Sequence, residues 1–233
     1  MTHQIISKIK EIGAVSIPDI DYGDVKLQVM PFNNSQKQVL LPMAFRVWQE
    51  TFDEMRGKIP LFENCNTHYL SIESRFFFLR DFLRREGLHL DGNFCIDYDF
   101  MHETPGLVKV GWGSLEPVNN DFVSVEKFAI PYPDCELENG QYISNDFGGI
   151  LTASRYRGCK AYEVDLADVE VGSGGDLEPQ RNRMSSAVIF EENKIMFMSS
   201  TTPHESLQIN KGDRRAFLRI TLNHKYPNKL IFN

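Results

Sequence analysis

At 233 residues, 42% hydrophobic and 24% charged, the chain is long enough to bury a core without disulfide staples, and its composition is that of neither a disordered nor a membrane protein. Its net charge of -7, from 32 acidic and 25 basic residues, disfavours non-specific binding to a phosphate backbone and ranks a small molecule or a protein above nucleic acid as partner. No stretch approaches the ~20 apolar residues that span a bilayer, MTHQIISKIKEIG lacks the apolar run of a signal peptide, and Cys65, Cys95, Cys135 and Cys159 form no CxxC pair. A soluble, cytoplasmic chain with reduced thiols and no membrane partner is expected; no feature sets an oligomeric state.

Residues 2–12 have the pattern of a short amphipathic helix. Residues 38–56 place Leu41, Phe45, Trp48 and Phe52 near helical spacing, with Pro42 at the start. Residues 69–86 give the strongest helix signal, with Ile72, Phe76, Leu79 and Leu83 recurring at helical steps and Gly87 as a stop.

After Gly87 the texture changes to short β-rich runs separated by Gly, Pro, Asn and Asp: 94–100, 107–113, 122–130, 149–156, 160–171, 186–190, 194–200 and 215–222. The fold class expected is α+β in a single domain over 1–233. Residues 1–86 are expected to be mainly helical, packed on a jelly-roll or cupin-like core over 87–233. Residues 131–147 and 172–185 are the candidate substrate-facing loops.

His89-Leu90-Asp91-Gly92 opens the β-rich part. On a strand, alternate residues share a face, so His89 and Asp91 can meet one metal ion while Leu90 packs the other way. Thr202-Pro203-His204-Glu205-Ser206 follows an apolar strand and supplies a second imidazole. Two His and one carboxylate form the facial set that suits iron(II) and leaves positions open. Next comes GDRRAFLRIT, in which Arg215, Phe217, Arg219 and Thr221 share one face and Leu218, Ile220 and Leu222 the other. A forked guanidinium grips a carboxylate in two places.

Each piece alone is weak. His3, His68, His102 and His224 read as structural or surface residues, and Arg84-Arg85 and Arg181/Arg183 as solvated. Phe76-Phe77-Phe78 reads as core. Val171-Gly172-Ser173-Gly174-Gly175-Asp176 lacks the Gly-Lys-Ser/Thr of a phosphate loop. Order and context together favour the metal reading.

In that order the pieces resemble the Fe(II)/2-oxoglutarate-dependent oxygenase superfamily. The distal-His segment HESLQINKGDRRAFLRIT is similar to prolyl-hydroxylase-like and phytanoyl-hydroxylase-like members. The resemblance implies a double-stranded β-helix core and a dioxygenase using iron(II), 2-oxoglutarate and O2. His89, Asp91 and His204 would be the metal ligands. Arg219 with Thr221, or else Arg215, and third Arg214, would hold the cosubstrate's far carboxylate. It implies hydroxylation of a small-molecule or protein substrate, with release of succinate and CO2. The alternatives are a cupin-type metal enzyme that does not use 2-oxoglutarate, and a non-catalytic jelly-roll binding module.

Overall fold

A computed structural model describes residues 2–19, 25–63, 65–80, 82, 86–90, 124–127, 145–172, 175–208, 212–223 and 225–232. Two packed sheets dominate it. The larger is seven-stranded, in the order β2 (Ile9–Ala14), β10 (Lys194–Met198), β6 (Ile150–Ser154), β12 (Asp213–Thr221), β4 (Thr67–Phe77), β3 (Val25–Asn33) and β5 (Ser124–Lys127). The smaller runs β11 (His204–Ser206), β7 (Cys159–Glu163), β9 (Ser186–Ile189). A separate antiparallel pair joins β1 (Thr2–Ile6) to β8 (Asp165–Glu170). All named pairings are antiparallel except β3 with β5. The fold is α+β and sheet-rich.

Alternation along the large sheet separates two environments. Leu70, Ile72, Leu151, Ala153, Ile195, Phe197, Ala216, Leu218 and Ile220 point to one side and belong to the main apolar cluster. The chain over 43–56 covers that side, as a 3-10 helix (Met43–Trp48) running into α1 (Gln49–Arg56). Phe45, Trp48, Phe52 and Met55 from this segment are fully buried, each worth about 1.5–3 kcal/mol relative to exposure. Pro42 stands at the helix start, as its fixed φ and missing N–H favour.

The other side faces the small sheet. Ile150, Met196 and Met198 cluster there with Ala161 and Phe190, and Cys159 and Val188 pack on them.

Two helical expectations fail. Residues 2–12 form β1 and most of β2, and residues 69–77 belong to β4. The described part of 1–86 therefore holds more strand than helix, with one helical segment over 43–56. Steps of four fit a strand as well as a helix, because four is a multiple of two. β4 buries His68, Leu70, Ile72 and Ser74 in alternation and leaves Phe76 at 44% exposure, against the expectation of core there. Gly87 is a turn residue with φ +89, not a helix stop. The expected runs at 94–100 and 107–113 lie outside the described residues, whereas those near 122–130, 149–156, 160–171, 186–190, 194–200 and 215–222 each contain a strand.

Candidate metal centre and its cationic wall

His89 and His204 are brought together by the backbone. The N–H of each donates to the carbonyl of the other at 2.9 Å, a closed antiparallel pair. Directly paired residues point the same way, and the ring centroids stand 4.5 Å apart. Leu88 and Leu90 point oppositely, into a second apolar cluster with Ile5, Tyr162, Val164, Val169 and Leu177. The expected alternation at Leu88-His89-Leu90 is therefore present. His204 is paired with Ala161 of β7, so both histidines face the space between the sheets.

Both rings are held by their own turns. His89 Nδ1 donates to Gly87 O at 2.7 Å, and His204 Nδ1 donates to Thr202 O at 3.0 Å. A carbonyl accepts and cannot donate, so each Nδ1 carries a proton, and in a neutral ring the lone pair is then on Nε2. This is the outer-shell pattern that orients imidazole toward a metal. Gly87 needs its left-handed φ to turn its carbonyl onto His89, and an added Cβ would meet Glu178 Oε1 at 3.2 Å.

Asp91, the expected carboxylate ligand, lies outside the described residues. Among the described residues no group of three His, Cys, Asp or Glu is gathered as a metal site. His68 is fully buried in β4 beside Phe32 and Tyr226, and its Nδ1 accepts from Asn223 N at 3.1 Å. Burial pushes its pKa down to about 4. His3 lies in β1; His102 and His224 lie outside the described residues.

The arginine strand keeps the alternation read from sequence. Arg215 and Arg219 are 4% and 5% exposed on the inner face, while Ala216, Leu218, Ile220 and Leu222 fill the outer core. Arg219 Nε donates to Thr221 Oγ1 and Arg215 Nε to Ser154 Oγ, both at 3.0 Å. Arg214, paired with Phe76, takes the outer parity. β6 and β7 are joined by residues 155–158, so Ser154 and Cys159 stand at one end of the two sheets. Ala161 is the partner of His204, and Thr152 the partner of Arg219.

One ionic network escaped sequence reading. Glu178 Oε1 accepts from Leu88 N at 2.7 Å, and Arg181 binds Glu178 at 2.6 Å and Glu205 at 2.8 Å. Tyr162 and Lys160 also reach Glu205, at 2.5 and 3.2 Å. Arg181 thus ties the residue before His89 to the residue after His204. Burial alone would raise the Glu205 pKa, but bonds from Arg181, Tyr162 and Lys160 outweigh it and hold the pKa down to about 2. Arg181 also holds Glu178 down to about 2, helped by Leu88 N–H. The signal available was Glu178 three residues before Arg181, which alone looks like an ordinary surface pair. The loop before it is not solvent-borne throughout: Leu90 N donates to Gly175 O at 2.9 Å, so 175–177 flanks the His89 segment.

No protein-family model, curated protein or solved structure matches the chain.

Proposed function

We infer that the protein is an iron(II)- and 2-oxoglutarate-dependent dioxygenase that hydroxylates a small-molecule or protein substrate. The observation that carries this reading is the His89–His204 pair, with both Nδ1 protons committed to backbone carbonyls, in a chain that also buries Arg215 and Arg219 on the small-sheet side of the large sheet. Two imidazoles and a carboxylate suit iron(II); Asp91, two residues beyond His89, is the carboxylate expected from strand alternation.

The strand pairing supports a double-stranded β-helix. Eight segments pair as nested hairpins: β4 with β12, 88–90 with β11, β6 with β10, and β7 with β9. First meets last and fourth meets fifth, as when one long antiparallel ribbon is wound up. Successive windings then lie side by side, β12 on β6 and β11 on β7. Such nesting supports the jelly-roll reading, in which two sheets form from one folded ribbon.

Iron(II) in such a site, with 2-oxoglutarate and O2, supplies oxidative decarboxylation to succinate and CO2 and the oxidation of substrate. The chain's own residues do the rest. His89, His204 and Asp91 would hold the metal on one side and leave positions open on the other. Arg219, oriented by Thr221, or Arg215, oriented by Ser154, would pair with the far carboxylate. The apolar side chains of Ile150, Met196 and Met198 keep water from part of the space.

Succinate release from 2-oxoglutarate with iron(II) tests the reading. Wild type is expected to turn over and His204→Ala to stop; undiminished release by His204→Ala would sink the assignment. Turnover by a metal-loaded protein that ignores 2-oxoglutarate would favour the cupin-type alternative.

A further inference from the structure

The proposed chemistry needs one cation for the cosubstrate, and the inner face holds several. Arg75 of β4 and Arg215 of β12 are directly paired, so their side chains leave the sheet on the same side. Arg219 follows on that side, four residues along β12, or about 13 Å at the usual strand rise. Lys26 of β3 is paired with Glu73 of β4 on this face too. Among the described side chains of β3, β4 and β12 here, Glu73 is the one carboxylate, 3.0 Å from Arg75 Nε and 3.9 Å from Lys26 Nζ.

Like charges placed directly opposite weaken a sheet. Part of that cost is offset by stacking: Arg75 lies over Phe77 at 4.3 Å and Arg215 over Phe217 at 5.5 Å. Stacked guanidiniums keep their forks in fixed planes, which suits two-point capture of a carboxylate or phosphate. Cations on a partly buried wall also attract an anion more strongly than they would in water.

We propose that the inter-sheet space holds two anions at once: 2-oxoglutarate on one β12 guanidinium, and an anionic group of the primary substrate, carboxylate or phosphate, on the other, with Arg75 beside Arg215. The primary substrate is then an acidic small molecule. This rests on the oxygenase reading for the first anion and on the arginine geometry alone for the second.

The test is calorimetric titration of butanoate, inorganic phosphate and neutral butanamide into protein loaded anaerobically with iron(II) and 2-oxoglutarate, and into the metal-free protein. Wild type is expected to take one equivalent of butanoate or phosphate beside 2-oxoglutarate and to ignore butanamide. Tighter phosphate points to a phosphorylated substrate, tighter butanoate to a carboxylic acid. Arg75→Gln should weaken the probe at least ~10-fold and leave 2-oxoglutarate affinity within about 3-fold. Of Arg215→Gln and Arg219→Gln, one should lose 2-oxoglutarate by roughly 100-fold and the other the probe. Arg215→Lys, which keeps the charge without the fork, should fall between, and serves if the Gln variant does not fold. Absence of a second anion in wild type overturns the proposal, as does probe binding indifferent to all three arginines. Probe binding at these arginines in a protein that binds no 2-oxoglutarate removes the oxygenase reading and leaves the anion site standing. Iron and 2-oxoglutarate binding with no second anion does the reverse.

Discussion

The two faces of the large sheet are built from the same strands and do opposite work. On β12, Ala216, Leu218 and Ile220 face α1 and the apolar core, while Arg215, Arg219 and Thr221 take the opposite side of the sheet. β4 and β6 repeat the division, Leu70, Ile72, Leu151 and Ala153 on one side, Ser71, Glu73, Arg75, Thr152 and Ser154 on the other. Burying apolar area on one face stabilises the fold enough for the other to gather charge, which burial penalises. A strand's period of two lets adjacent residues serve such different ends.

That division gives testable consequences. The largest falls on the inner space: His89→Ala should lower iron(II) affinity by at least ~100-fold, beyond the usual effect of an outer-shell change, with a melting temperature close to wild type. A collapse of the fold instead would mean that His89 is core. On the outer face Leu218→Ala should cost about 2–5 kcal/mol in chemical denaturation, whereas Arg219→Gln should cost about 1 kcal/mol or less; equal losses would erase the distinction.

His68 sharpens it from within β4. Its Nε2 is buried with no hydrogen-bond partner, and burial lowers its pKa from 6.5 to about 4. The unfolded chain therefore binds the proton first. The His68 contribution is fully present above pH 6.5 and is lost as pH falls toward 4, by roughly 3 kcal/mol in all. His68→Gln should flatten that part of the stability profile; an unchanged slope would place the acid sensitivity elsewhere.

The smallest effect on metal binding is expected at Arg181. Arg181→Met cuts the tie between the two histidine-bearing segments and should weaken iron(II) binding about 10-fold, with Arg181→Lys partly restoring it. Unchanged metal affinity would reduce the network to a surface feature.

The alternation around His89, His204 and the arginines was more legible than the elements that carry them. His89, His204 and the arginine strand could be read because strand alternation fixes which residues share a face, and the structure keeps that alternation at Leu88-His89-Leu90 and along β12. β4 misled because Ile72 and Phe76, four apart, satisfy both periods; its partners β3 and β12 decide the matter, and those pairings are long-range. β1 and β2 misled for a related reason, as their pairing to β8 and β10 is invisible in a short window. Arg75 was hidden inside the supposed helix, so its place opposite Arg215 could not be seen. Arg181 read as solvated, because its meaning lies in which backbone segments it joins through Glu178 and Glu205.

The most direct test of the central claim is anaerobic titration of the protein with iron(II) and then 2-oxoglutarate, followed by visible absorption. The account predicts one equivalent of each and a weak metal-to-ligand charge-transfer band that is absent in His89→Ala and His204→Ala. No stoichiometric iron binding in wild type, or an undiminished band in either variant, would contradict it.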